Sequence, residues 1–173
     1  MLALDRQPIF PLANNAVFGR MMIFAPSLPP NSDVHYDFVW GSGNSTAAGG
    51  NTQVKYGAMD RRHFLANYWE SPTSSDCWKS SNTSITMPEN RWVCFEWQFD
   101  GAHDTAHLWI DGVAVPEVTV TGTGSGCVNK PSVPWHFPTF DHLEVGWIAY
   151  QQWSSQDLWL DDVALSTTRV GCP

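Results

Sequence analysis

The stretch RWVCFEWQFDGAHDTAHLWIDG, residues 91–112, predicts a β-hairpin and, through it, the fold class of the chain. Apolar and polar residues alternate along its first strand, residues 92–99, with the period of two that is typical of a half-buried strand. The alternation continues along a second strand, residues 106–111, after a polar loop at Asp100-Gly101. The face that we expect in the core consists of Val93, Phe95, Trp97, Phe99, Ala106, Leu108 and Ile110.

The rest of the chain has the same character. β-branched and aromatic runs recur between clusters of Gly, Pro, Ser and Asn, and no segment has a convincing helical period. Their spacing favours an all-β sandwich or jelly roll of antiparallel sheets, in one domain over residues 1–173. Seven further strands are predicted at residues 16–24, 34–40, 52–58, 63–69, 113–120, 143–150 and 158–165.

The net charge of the chain disfavours two classes of partner. Nine Lys and Arg against 17 Asp and Glu give a formal net charge of −8, which disfavours nucleic acid and anionic membranes. No apolar run approaches the ~18 residues that a membrane span needs. Apparent strand sequence begins almost at Met1, so we expect an upstream signal peptide or first strand to be missing from this sequence, and we expect a monomer.

The four cysteines, Cys77, Cys94, Cys127 and Cys172, have no CxxC spacing and no His at metal-finger distance. Two disulfides, in any of three connectivities, are therefore predicted, with four buried thiols as the alternative. Disulfides would place the protein in a secreted or extracytoplasmic compartment.

Three segments resemble a known superfamily. RWVCFEWQFDG, AHLWIDGVAV and the C-terminal LWLDDVALS resemble the concanavalin A-like lectin/glucanase superfamily over most of residues 16–166. Within it, FGRMMIF and the ending DDVALSTTRVGCP look most like small secreted proteins related to the cellulose-induced fungal proteins and glucuronan lyases. The resemblance implies a jelly roll of two bent antiparallel sheets whose concave face holds an extended sugar chain.

Ten tryptophans are the most unusual feature of the composition. Large rings fill sandwich cores, which is the role expected of Trp92, Trp97 and Trp159. Exposed indoles can also stack on the apolar faces of sugar rings. The candidates for such a sugar-binding role, at strand ends or beside polar positions, are Trp40, Trp69, Trp109, Trp147 and Trp153.

A basic cluster suggests an anionic sugar. Lys55, Arg61 and Arg62 are three of only nine cations and lie within eight residues. β-Elimination of a uronan needs a group that neutralises the uronate and His or Tyr side chains that move protons. The residues of these types are Arg62, His63, Asn67 and Tyr68. Alternation puts His63 and Asn67 opposite Arg62 and Tyr68, and a solvated turn with internally paired charges is the alternative.

The hairpin's polar face, with Glu96 and Gln98, raises the possibility of hydrolysis. Hydrolysis needs two carboxylates across a cleft. The glucanases of the superfamily carry E-x-D-x-x-E on one strand, whereas Glu96 has no second acid before Asp100. Glu144 is the candidate partner on another strand.

Cofactor motifs are absent from the sequence. It has no HExxH, P-loop or GxGxxG, so we expect neither a catalytic transition metal nor an organic cofactor. The superfamily resemblance implies a structural Ca²⁺ at Asp161 and Asp162, since carboxylate oxygens suit that ion.

Together these observations predict a secreted jelly-roll protein that acts on a polysaccharide, as a lyase of uronic-acid-containing glycans. A non-catalytic carbohydrate-binding module is one alternative. A glycoside hydrolase that uses Glu96 and a second carboxylate is the other.

Overall fold

Two antiparallel β-sheets packed face to face make up the computed structural model, which describes residues 1–5, 9–30, 34–81, 85–128, 130–155 and 157–173. Strands dominate these ranges, which contain no α-helix and two 3₁₀ turns, at Ala13–Asn15 and Pro116–Val118. The predicted all-β sandwich is confirmed. No helix in the described ranges is long and apolar enough to cross a membrane.

Sheet A has seven strands in the spatial order β1 (Leu2–Asp5), β12 (Thr139–Ala149), β3 (Tyr36–Ser45), β4 (Gly50–Met59), β5 (His63–Glu70), β6 (Ser75–Ser80) and β11 (Gly126–Cys127). Sheet B has the order β10 (Val120–Thr121), β8 (Thr105–Ile110), β7 (Trp92–Asp100), β2 (Ala16–Phe24) and β13 (Trp159–Ser166), with β9 (Val113–Ala114) paired to β8. We call the face of each sheet that points away from the other sheet its outer face.

The core lies between the sheets, and the hairpin β7–β8 supplies much of it. Every residue of the predicted apolar face is buried, and Phe95, Trp97 and Phe99 have no exposed surface. Phe95 meets Phe38 of sheet A with 5.6 Å between ring centroids, and Phe99 stacks on Tyr56 at 5.8 Å. The period-2 pattern therefore identified the side of the hairpin that holds the sheets together.

Two of the three tryptophans expected in the core are outside it. Trp92 and Trp159 are 44% and 50% exposed, so this prediction was wrong for both. Trp92 shares the parity of Cys94 and Glu96 on β7, and alternation turns all three to the outer face. Both indoles pack there against Phe24, which the ladder places beside them.

Sequence patterns also missed or merged some strands. β6 falls in a segment expected to be a turn, because its sequence, SDCWKS, is mostly polar. The strand predicted over residues 113–120 is interrupted by the 3₁₀ turn that begins at Pro116. Proline has no N–H to donate to a ladder, so the chain leaves the sheet there and rejoins it in β10.

Two disulfides connect all four cysteines, as predicted. Cys77 on β6 is bonded to Cys127 on β11, and Cys94 on β7 to Cys172 near the end of the chain. The first covalently joins two short strands at the edge of sheet A. The second attaches residues 167–173, which we call the C-terminal tail, to the outer face of sheet B.

Candidate functional site

Two rows of side chains cross the outer face of sheet A. Residues that lie opposite one another on neighbouring strands point to the same face, so lateral register defines each row. The first row is Glu144, Trp40, Lys55, Asn67 and Trp78, across β12, β3, β4, β5 and β6. The second is His142, Ser42, Gln53, Trp69 and Asp76. Aromatic rings and hydrogen-bonding groups therefore share one surface.

A cavity of about 370 Å³ opens on this surface. Its lining consists of His35, Gln53, Lys55, Asn67, Trp69, Asp76, Tyr150 and Gln151. A second cavity adjoins it, shares His35, Asn67, Asp76 and Gln151, and adds Trp78, Leu65, Met59 and Val128. Together they form a polar trough with indole rings along it, which we call the sheet A cleft.

A hydrogen-bonded network lies at the floor of the cleft. The Lys55 ammonium donates to the Tyr150 hydroxyl at 3.0 Å, and that hydroxyl donates to Asp37 Oδ2 at 2.9 Å. Lys55 Nζ also lies 4.0 Å from the Asp37 carboxylate. Asp37 has no exposed surface and Lys55 is 5% exposed, whereas Tyr150 is 43% exposed. Tyr150 therefore connects a buried ion pair to the cleft.

Burial controls proton affinity in this network. It lowers the pKa of Lys55, and the nearby Asp37 and Asp76 carboxylates offset only part of that effect. Burial, reinforced by Asp37, raises the pKa of Tyr150 well above its ordinary value. At neutral pH the phenol is therefore protonated and is a hydrogen-bond donor.

A β-bulge and a glycine make room for Asp37. The register between β3 and β4 shifts between Asp37 and Val39, so the chain carries one extra residue there. Gly57 lies opposite Asp37, and a Cβ on it would sit 1.9 Å from the Tyr36 carbonyl oxygen and 2.5 Å from Asp37 Oδ1. Only glycine lets the backbone and the carboxylate approach this closely.

His35 is the fourth member of the network. Its Nε2 lies 3.2 Å from Asp37 Oδ1, and its ring stacks on Tyr150 with 4.7 Å between centroids. The backbone N–H of Tyr150 donates to the His35 carbonyl oxygen at 3.0 Å. When Nε2 carries the proton that is donated to Asp37, Nδ1 has the free lone pair.

Asn67 has a fixed orientation. Its amide nitrogen donates to Asp76 Oδ1 at 2.8 Å and to the Cys77 carbonyl oxygen at 3.0 Å, which uses both N–H groups. The remaining hydrogen-bonding group is the acceptor Oδ1. Asn67 therefore suits a sugar hydroxyl better than a carboxylate.

The predicted basic cluster is divided between different places. Lys55 and Asn67 lie in the cleft, whereas Arg61 and Arg62 lie in the turn between β4 and β5, where Arg62 pairs with Glu89. His63 begins β5 on the face of Asn67 but does not line either cavity described above. The two arginines therefore lie in a turn, as the alternative had it. The ion-pair partner of Arg62 is Glu89, which is distant in sequence and not a neighbour in the turn.

Tyr68, which was predicted to belong to the site, does not line the cleft. Because side chains alternate along β5, it points into the core, away from Asn67. Its ring stacks on Trp135 at 5.3 Å, and its hydroxyl donates to Glu70 Oε2 at 2.9 Å. The structure thus places Tyr68 on the opposite side of sheet A from the cleft.

Glu96 lies on the other side of the molecule, on the outer face of sheet B, and is 1% exposed. Arg169 of the C-terminal tail donates to both of its carboxylate oxygens, at 3.3 and 2.8 Å, and the N–H of Gly171 donates at 2.9 Å. Glu144 belongs to sheet A, so the core separates the two acids and the predicted pairing was wrong. Gln98, two residues from Glu96 on β7, shares its outer face.

The five tryptophans proposed to bind sugar also divide. Trp40 and Trp69 are on the outer face of sheet A, and Lys55 Nζ lies 5.4 Å from the Trp40 ring centroid. Trp109 is on sheet B, with the Arg169 guanidinium 4.6 Å from its ring centroid. Trp147 packs on Tyr36 and Phe38, and Trp153 packs against the core.

Sequence reasoning missed three of the four members of the network, namely His35, Asp37 and Tyr150, together with Asp76 and Trp78 in the cleft. One signal was available for Asp37, which stands alone in the otherwise apolar strand sequence YDFVW. A lone carboxylate in such a strand indicates a buried charge that needs a partner. Tyr150 had no comparable signal, because its role depends on the pairing of β12 with β3.

Asp161 and Asp162 are exposed on β13, where Asp161 Oδ1 accepts the backbone N–H of Asp162. The Arg20 guanidinium donates to the Asp162 carbonyl oxygen. In the described part of the chain, no third His, Cys, Asp or Glu ligand atom groups with these two carboxylates. Ca²⁺ normally takes six to eight oxygens, so calcium binding here stays a prediction.

Comparison with protein families identifies the domain. The model described as Cip1-like, core domain, of the polysaccharide lyase-like family matches residues 32–168. The chain belongs to this Cip1-like family. The family match and the fold confirm the resemblance drawn from the hairpin and the C-terminal strand.

One solved structure similar to this Cip1-like chain is that of the cellulose induced protein Cip1. It is 23% identical, with a TM-score of 0.58, over 91% of this chain and 70% of that one. At this identity the likeness shows a shared fold. A search of curated proteins found no match.

Proposed function

We propose that this chain is a polysaccharide lyase that cleaves a uronic-acid-containing glycan by β-elimination in the sheet A cleft. The observation that carries the proposal is the network of Lys55, Tyr150, Asp37 and His35 at the floor of a trough that indole rings line. Membership of a polysaccharide lyase-like family supports a carbohydrate as the partner. Two disulfides support an oxidising, extracytoplasmic place of action.

The glycan would lie across the strands of sheet A. Trp40, Trp69 and Trp78 present ring faces and edges on this side of the sheet, and sugar C–H faces pack on such surfaces. Gln53, Gln151 and the Asn67 carbonyl oxygen offer hydrogen bonds to hydroxyl groups. These contacts would position one uronate residue above Tyr150.

Lys55 would bind the carboxylate of that uronate. Its ammonium has three N–H groups, one of which donates a hydrogen bond to the Tyr150 hydroxyl. Removal of the C5 proton builds negative charge on the carboxylate as an enolate forms. A fixed cation in a partly desolvated site stabilises that charge far better than water does.

His35 and Tyr150 would move the protons. His35 Nδ1 takes the C5 proton while Nε2–H stays hydrogen bonded to Asp37, which stabilises the imidazolium. The C4–O4 bond breaks, the C4=C5 double bond forms, and the Tyr150 hydroxyl turns from Asp37 to give its proton to O4. The resulting phenolate accepts a hydrogen bond from Lys55.

The test is incubation of the protein with a panel of uronans and with neutral β-glucans, while the ultraviolet absorbance of the unsaturated uronate is recorded. We expect that absorbance with at least one uronan and its loss in His35→Ala and Tyr150→Phe. New reducing ends without the absorbance would overturn elimination in favour of hydrolysis. Glycan retention without either product would identify a binding module.

A further inference from the structure

We infer that the glycan cleaved by this site carries isolated uronates between neutral sugars and is not a homopolyuronate. The inference rests on the proposed function and names its substrate class. It follows from the distribution of charge along the sheet A cleft. The cleft offers one cation, and the positions on either side of that cation are aromatic, amide or acidic.

Lys55 is the single cation that lines either cavity in the described ranges, which leave out Arg6. The other basic side chains are engaged or located elsewhere. Arg62 pairs with Glu89, Arg91 with Asp111, and Arg169 with Glu96. Lys79 and Arg20 donate to backbone carbonyl groups. Lys130 donates to the hydroxyl groups of Thr73 and Ser75. Arg61 lies in the turn between β4 and β5.

The neighbours of Lys55 along the cleft are negative. On one side Asp76 lines both cavities, next to Asn67 and Trp69. On the other side Glu144 follows Trp40 in the row, and its charge reaches Tyr150. Asp37 already offsets Lys55 from beneath. Lys55 can therefore pair with one uronate, and a second uronate at a neighbouring position would meet a carboxylate with no cation.

The uncharged groups beside Lys55 suit neutral sugars. Trp69 and Trp78 flank Asn67, whose free acceptor takes a hydroxyl proton. A homopolyuronate would set a carboxylate against these residues at each bound sugar, beside Asp76. Like charges this close, in a half-buried site, disfavour binding strongly.

The experiment compares kcat/KM for two matched pairs of glycans whose uronates are substituted at O4. One pair is β-1,4-glucuronan and deacylated gellan, whose glucuronate is flanked by neutral sugars. The other is polygalacturonate and the rhamnogalacturonan backbone, in which galacturonate alternates with rhamnose. We expect the mixed glycan of the cleaved pair to be favoured by about tenfold or more, given the cost of opposing like charges.

A homopolymer cleaved as well as its mixed partner, or better, would overturn this inference and leave the proposed function intact. Absence of unsaturated product from all four glycans, and from the uronan panel, would overturn the proposed function and this inference with it. The two failures are therefore distinguishable.

Asp76→Asn tests the cause. Asparagine keeps the acceptor for the Asn67 amide and removes the charge. The ratio of homopolymer kcat/KM to mixed-glycan kcat/KM should therefore rise about fivefold. Added salt should raise the same ratio in the parent protein, because it screens the Asp76 charge. Asp111→Asn, on sheet B beside Arg91, is the matched control and should leave the ratio unchanged. An unchanged ratio in a folded Asp76→Asn protein would overturn the inference.

Discussion

The two outer faces of this sandwich each hold a buried carboxylate beside a cation, and the two pairs have opposite roles. On sheet A, Asp37 and Lys55 are joined through the Tyr150 hydroxyl, which is open to the cleft. On sheet B, Glu96 and Arg169 form two charge-assisted hydrogen bonds beneath the C-terminal tail. The chemistry of the residues is similar, and what differs is whether the chain covers them.

In the covered pair, the C-terminal tail holds the Glu96 carboxylate. Glu96 accepts from Arg169 and from the N–H of Gly171, and the disulfide from Cys94 to Cys172 fixes the tail over it. With 1% of its surface exposed, the Glu96 carboxylate is out of reach of a substrate. The comparison shows that a buried acid is a candidate for catalysis only when a neighbouring group connects it to solvent.

The largest expected effect separates the two faces by activity. Tyr150→Phe removes the group that connects the ion pair to the cleft, so kcat on the preferred uronan should fall by about 10²–10⁴-fold. The melting temperature should change by only a few degrees, because the ring can still stack on His35. Steady-state kinetics and thermal melts check both, and turnover within twofold of the parent would remove Tyr150 from the mechanism.

Gly57→Ala should disturb the sheet A pair without replacing either of its members. The new Cβ would lie against the Tyr36 carbonyl oxygen and Asp37, so β3 or β4 must shift. We expect kcat/KM to fall by about 100-fold, since small displacements of catalytic groups are costly, and stability to fall by about 1–3 kcal/mol.

Gly49→Ala is the matched control for that change. Gly49 has a φ of +76° and nothing within 4 Å of an added Cβ, so backbone strain should cost about 1 kcal/mol and leave activity intact. Denaturant unfolding and kinetics on both variants make the comparison. Equal activity in the two would show that the fit of Asp37 against Gly57 is unimportant.

Glu96→Gln should break the sheet B pair and leave chemistry unaffected. Loss of the charge-assisted bonds to Arg169 and Gly171 should lower the free energy of unfolding by about 1–3 kcal/mol. Because the core separates Glu96 from the cleft, kcat/KM should stay within twofold. A large loss of activity at unchanged stability would restore Glu96 as a catalytic candidate.

The smallest effect concerns pH. Burial lowers the pKa of Lys55, so its ammonium loses a proton below the ordinary value of 10.5 as pH rises. Since the cationic form would bind the uronate, the alkaline limb of kcat/KM should lie below that pH. Arginine stays charged, so Lys55→Arg should move the limb upward at reduced activity, whereas an unmoved limb would assign it to another group.

Much of the fold could be predicted from local pattern. The alternation in residues 92–99 and 106–111 identified the core side of β7 and β8, because a strand that is half buried must alternate. The errors at Trp92 and Trp159 came from ranking residue type above parity. β6 was missed because its sequence is mostly polar, and its disulfide to the edge strand β11 supplies part of what apolar packing does elsewhere.

Less of the candidate site could be predicted. Composition pointed to Lys55, and alternation separated Asn67 from Tyr68, but the arginines beside them belong to a turn. Lys55 finds its partners 18 residues earlier, at Asp37, and 95 residues later, at Tyr150. Sequence periodicity reveals neither of these separations, because both depend on the order in which β12, β3 and β4 pair in the sheet.

Residue types and local pattern are enough to predict most of the strands, the core face of the hairpin, the number of disulfides and the shortage of cations. These depend on residue types and on a period of two, which are local properties. Which acid is covered and which is connected to a cleft depends on tertiary contacts. A β-bulge beside Gly57 points Asp37 at Lys55, and the C-terminal tail covers Glu96. Both depend on contacts between residues far apart in the chain.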